Sequence, residues 1–219
     1  FGAVADGDAA VRQAVREQVR NGANQIKIMA GGGVASPTDP IDGSQFSLAE
    51  LAAICEEAES ANTYVMAHAY SPRAITRAVR AGVRSIEHGN LLDEDAAKVM
   101  KEEGAFLVPT LVTYAVLGEE GARLGWSASM LQKLERVRDR GQQAIAIARA
   151  AGIPVAFGTD LLGHMHDRQM GEFALRAVVQ SPAEILQSAT HVAARLLRAE
   201  GQIGTLAAGA LADVLLVDG

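Results

Sequence analysis

The feature that most constrains the fold of this chain is an alternation, in which short apolar runs are separated by longer stretches of helical periodicity. "QIKIM", "TYVMAHA", "VRSIEHG", "AFLVPTLV" and "IPVAFGTD" read as strands. Helical patterns surround them: "AAVRQAVREQVRNGA", "SLAELAAICEEAESAN", "SPRAITRAVRAG", "DEDAAKVMKEEG" and the long stretch around "MLQKLERVRDRGQQAIAIARAAG". Strands separated by whole helices cannot pair as hairpins, so the pattern predicts five parallel β/α units with right-handed crossovers. Local chemistry agrees. Ser47 and Glu50 have the spacing of a capping box, Ser71 precedes Pro72 as an N-cap, and Gly82, Gly104 and Gly152 each stand between a helix and the next strand. The remainder, "SPAEILQSATHVAARLLRAEGQIG", reads as helical, and "TLAAGALADVLLVDG" as the start of a small β element.

Composition narrows the function classes. With 219 residues, 49% of them hydrophobic, the chain can bury a substantial core. A formal net charge of -6, interspersed signs and 4% aromatics provide neither a basic stripe nor a stacking platform, so no nucleic-acid partner is expected. No apolar run approaches the roughly 20 residues of a membrane span, and the first residues lack signal-peptide order. The expected partners are therefore small molecules, with no membrane contact and a cytoplasmic location by default. The one cysteine, Cys55, lies in an amphipathic helical pattern and is expected to pack there as a free thiol.

The polar residues fall at telling places. Lys27 sits inside what otherwise reads as a buried apolar strand, ahead of Gly31, Gly32 and Gly33. His68 closes "TYVMAH", His88 closes "RSIEH", and Asp160 follows "VAFGT". Each alone has a plain structural explanation: a hydrogen-bonded core histidine, an N-cap aspartate, a snorkelling lysine. All four are residues that could bind metal, directly or after modification, and in a β/α barrel the C-terminal strand ends converge on one mouth, so His68, His88 and Asp160 would approach one another. Tyr70, two positions beyond His68, either points into that mouth or packs on the next helix. His164 and His166 follow Asp160 in a loop, His166 being the better candidate for touching substrate. The three glycines lack either phosphate-loop spacing and are expected to let backbone pass close to the site.

"IKIMAGGG", "MAHAYSPRAI", "SIEHGN" and "FGTDLLG", in this order, resemble the amidohydrolase superfamily, in its branch of imidazolonepropionase-related enzymes and Xaa-Pro dipeptidases (prolidases). The tail "ATHVAARLLRAEGQIGTLAAGALADVLLVDG" resembles that family's return from the barrel into a small β-sandwich. The resemblance implies an α/β fold, a partial TIM (β/α)8 barrel of about strands 4 to 8 over residues 1–200, with residues 201–219 returning into the sandwich. It implies a carboxylated Lys27 bridging two divalent metals, zinc foremost, with burial favouring the neutral amine that reacts with carbon dioxide. It further implies that His68 and His88 bind one metal, that Asp160 binds the other and takes a proton from the bridging water, and that Tyr70 and His166 touch substrate. The reaction implied is hydrolysis of an amide or peptide bond, in Xaa-Pro dipeptides or N-acyl amino acids; a cyclic amide or a lactone suits the same ligands. The family's first-strand His-x-His has no counterpart, since the only such pair, His164 and His166, follows the last strand. With Lys27 on strand four, strands one to three are expected to lie outside this chain. Open sheet edges then give the alternative: a non-catalytic partial barrel that needs a partner or self-association as a homo-oligomer. A Lys27 turned toward solvent would count against the metal reading.

Overall fold

The structure is a computed structural model describing residues 2–217; Phe1, Asp218 and Gly219 lie outside the described residues. Helix α1 (Asp8–Arg20) leads into β1 (Ile26–Met29), followed by α2 (Leu48–Ser60), β2 (Val65–Ala69), α3 (Pro72–Arg80), β3 (Ser85–His88), α4 (Glu94–Glu102) and β4 (Phe106–Val108). The four strands form one parallel sheet in the order β1-β2-β3-β4. Each crossover therefore returns to the adjacent position, as the alternation requires. The local signals act as expected. Ser47 and Glu50 make the reciprocal capping box, the Ser71 hydroxyl accepts from Ala74 N–H, and Gly152 takes the left-handed conformation that closes its helix.

Register explains the two faces of the sheet. Ile26, Ile28, Val65, Ala67, Ile86 and Leu107 are buried against the helices in the largest core cluster. Side chains of opposite parity form two rows on the other face: Lys27, Met66, Ser85 and Phe106, then Met29, His68, Glu87 and Val108. That second face is the barrel-lumen side, and it carries the polar residues.

The later half departs from the sequence pattern. "AFLVPTLV" is a strand only through Val108. Thr110 is already the N-cap position of α5 (Leu111–Glu120), because Glu172 accepts the N–H of Val112 and draws the chain into a helix. The long helical stretch breaks at Asp139 and Arg140 into α6 (Ala128–Arg138) and α7 (Gly141–Ala151). "IPVAFGTD" pairs through one parallel bridge, Val155 with Leu107, beside β4. A short 3-10 helix (Gly163–Arg168) follows, then α8 (Gly171–Arg176), α9 (Pro182–Gln187), a π turn (Ser188–Val192) and α10 (Ala193–Leu196). No strand forms among the described residues of 205–217, where Leu215, Leu216 and Val217 are exposed and find no strand to pair with. No described helix is long and apolar enough to cross a membrane. Cys55 packs on α2 as a free thiol, and burial pushes it up to about 12.

Candidate active site

The C-terminal ends of β2 and β3 build the centre. His68 lies on the lumen face by register, but His88 pairs with Ala69, whose side chain faces the helices. His88 nevertheless joins His68, because its backbone turns left-handed at the strand end with φ 75°. Asp160 also has positive φ, at 51°. Such backbone costs about 1–3 kcal/mol in a non-glycine residue and is retained where the surroundings impose it. The His68 and His88 rings meet edge to face with centroids 4.7 Å apart, and Tyr70 packs 4.7 Å from His68. All three are buried.

Each ring is fixed by an oxygen. His68 Nε2 lies 3.1 Å from the Gly32 carbonyl, and His88 Nδ1 lies 2.8 Å from Thr110 Oγ1. Among the described residues no hydrogen bond engages the other ring nitrogens, His68 Nδ1 and His88 Nε2. Burial holds both imidazoles neutral at pH 7: desolvation lowers His68 to about 4 and His88 well below its ordinary value, and the charge of Lys27 adds to both. A neutral imidazole with one nitrogen anchored to oxygen and the other open is the form that ligates a divalent metal. The donor chemistry of these two rings therefore fits such an ion.

The rest of the predicted set is less enclosed. Lys27 is not buried. It is exposed on edge strand β1, because nothing among the described residues covers the lumen face there, so the expectation of a desolvated amine is corrected for this chain and its exposure counts against Lys27 as a metal ligand within this span. Its charge still reaches His68, His88, Glu87 and Asp160. Asp160 is exposed; desolvation by nearby protein atoms still raises its carboxyl, and Lys27 opposes the rise. Among the described residues no three His, Cys, Asp or Glu side chains stand close enough to hold a metal ion. The chain unites two imidazoles and leaves the carboxylate on the rim. His166 is exposed on the 3-10 helix, and His164 beside it bonds Glu120 at 3.0 Å.

Three residues of this centre are absent from the set expected from the sequence. Tyr114 of α5 is buried, donates its hydroxyl to Tyr70 Oη at 3.1 Å and lies 5.9 Å from the His88 ring. Thr110, which anchors His88, was hidden in an apolar run. Glu87 shares the lumen row of His68, accepts from the Ser85 hydroxyl at 2.6 Å and is raised by desolvation; the strand alternation alone was enough to place it.

Comparisons with known proteins agree with this architecture. The model of the amidohydrolase family matches residues 1–219. The ochratoxinase of Aspergillus niger is 34% identical over 98% of this chain and 45% of its own length. A prolidase crystallised with N-methylphosphonate-L-proline superposes with a TM-score of 0.93 at 57% identity, over 96% of this chain and 52% of that one. A Xaa-Pro dipeptidase with bound methionine gives 0.87 at 32%, over 95% and 52%. The chain thus spans about half the length of the curated relatives it matches. Its parallel sheet is part of their α/β barrel, and the chain belongs to the amidohydrolase family.

Proposed function

We propose that the protein containing this chain is a metal-dependent amidohydrolase that cleaves Xaa-Pro dipeptides or related N-acyl amino acids. The observation that carries the proposal is the buried pair of neutral imidazoles at adjacent strand ends, each with one ring nitrogen left open. The likeness to a prolidase and a Xaa-Pro dipeptidase supports the substrate class, and ochratoxinase extends it toward other amides.

In this reading His68 and His88 would hold one divalent metal, and Asp160 and a carboxylated Lys27 would supply the ligands for a second. When bound, a metal pair, with zinc the first candidate, acidifies water and polarises the scissile carbonyl. The chain's own residues do the rest. The Asp160 carboxylate takes the proton of the attacking water at a carboxylate oxygen and delivers it to the departing amide nitrogen. Tyr70, steadied by the Tyr114 hydroxyl, orients the substrate's carbonyl or carboxylate. His166, on the exposed 3-10 helix, contacts the substrate from the rim.

The test is a hydrolysis screen of Xaa-Pro dipeptides and N-acyl amino acids with the complete, metal-loaded protein. Asp160→Asn keeps the fold and loses at least about 10³-fold in kcat/KM, as befits removal of a proton acceptor that also binds metal. A near-normal rate in that variant refutes the assignment.

A further inference from the structure

Lys133, on α6, makes contacts unusual for a surface cation. Half-buried, its ammonium donates to three backbone carbonyls of the loop between β1 and α2: Gly33 at 3.1 Å, Asp39 at 2.9 Å, and Ser36. An ammonium has three donors and no acceptor, so three convergent carbonyls satisfy it completely. These acceptors lie 94 to 100 residues upstream, and among the described residues no carboxylate shares the contact.

The same helix seats the loop. Val34 and Ile41 are buried in a small core with Leu134 and Val137 of α6 and with Tyr70 and Tyr114. The loop's two limbs press together at Gly32, where a Cβ would stand 2.2 Å from the Pro40 carbonyl oxygen, so only glycine fits. The Gly32 carbonyl is the group that meets His68 Nε2. A carbonyl only accepts, so Nε2 carries the hydrogen and Nδ1 keeps the lone pair.

We propose that Lys133 is a positioning residue of the mouth: by gathering the carbonyls of Gly33, Ser36 and Asp39 it holds the Gly32 carbonyl against His68 and so makes Nδ1 the open nitrogen of that imidazole. The link to metal binding rests on the function proposed above; the loop and the tautomer do not. The plain alternative is that Lys133 only secures a surface loop, without consequence for His68. A built-in comparison is Arg136, on the same helix, which approaches Asp42 of the same loop at 3.8 Å with both side chains more than half exposed. An exposed pair of this kind contributes little.

The experiment uses the complete protein labelled with ¹⁵N-histidine and stripped of metal, and reads the His68 tautomer by long-range ¹H–¹⁵N spectra near pH 7. Wild type shows one Nε2–H tautomer. Lys133→Met keeps the apolar stem and removes the donors. In it His68 becomes a mixture of tautomers, a limiting protease cuts within 31–44 about tenfold faster, and zinc retention weakens about tenfold, the scale expected when a ligand loses its supporting partner. Arg136→Gln changes none of these, and Lys133→Arg, which returns the charge and donors, recovers part of the protection. Should Lys133→Met fail to fold, Lys133→Gln carries the same readouts. An unchanged single tautomer in a folded Lys133 variant overturns the proposal, whether or not the loop is cut faster. If wild type hydrolyses no amide while the tautomer and cleavage shift as stated, the proposed function fails and Lys133 keeps its role.

Discussion

The two halves of the candidate site differ in how finished they are. At the ends of β2 and β3, His68 and His88 are no more than 6% exposed, packed edge to face and tied to Gly32 and Thr110. On β1 and beyond Val155, Lys27 and Asp160 are exposed, and of the two only Lys27 acts on the imidazoles, through its charge. The difference follows from which elements support each half. Helix α5 brings Thr110 and Tyr114, and the loop after β1 brings Gly32, so the buried half is completed within this span. The open half faces a lumen that no described residue covers.

That contrast can be broken most sharply by metal. In the isolated chain, His68→Ala or His88→Ala removes whatever zinc is retained, whereas Lys27→Met and Asp160→Asn leave it unchanged. In the longer protein all four variants lower retention, the histidine ones by at least about 100-fold, the upper end of what losing even a supporting partner costs. Equilibrium dialysis against zinc reads both cases.

Next in size is the packing beneath the site. Leu107, fully buried on the helix-facing side of β4, should lose about 2–5 kcal/mol of stability as Leu107→Ala in a urea titration. A smaller, pH-dependent effect tests the support of α5. Glu172 is buried, accepts Val112 N–H at 2.8 Å, and is raised by desolvation from 4.5 to about 7. Between those values the folded state binds more protons than the unfolded one. Its contribution is therefore fully present below about 4.5 and lost as pH rises through about 7. Wild-type stability should fall across this window by at most about 1.4 kcal/mol per pH unit relative to Glu172→Gln, which lacks the slope. The smallest effect belongs to the open half: Met29→Ala, at a side chain 43% exposed on the lumen row, should change stability by no more than about 0.5 kcal/mol.

What the sequence made legible was local or periodic. The caps at Ser47 and Ser71 and the helix stop at Gly152 depend on neighbours a few residues away, and β1, β2 and β3 follow apolar alternation. Tyr114 and Thr110 were lost because "FLVPTLVTY" reads as one apolar run, while the turn into α5 depends on Glu172, 60 residues downstream of the amide it accepts. Lys133 carries no signal at all, since its acceptors are backbone carbonyls far away in the chain. The left-handed turn of His88 was likewise invisible, although it decides on which side of the sheet that imidazole stands. The sequence makes Lys27 look buried because "IKIM" has apolar neighbours on both sides, yet only the isoleucines face the helices.

The most direct test is anomalous diffraction at the zinc edge from crystals of the longer, metal-loaded protein. Two peaks are predicted, one within about 2.1 Å of nitrogens from both His68 and His88, with a carbamate on Lys27 and the Asp160 carboxylate completing the cluster. A crystal with no such peaks, or with Lys27 as an unmodified amine pointing into solvent, would contradict the account.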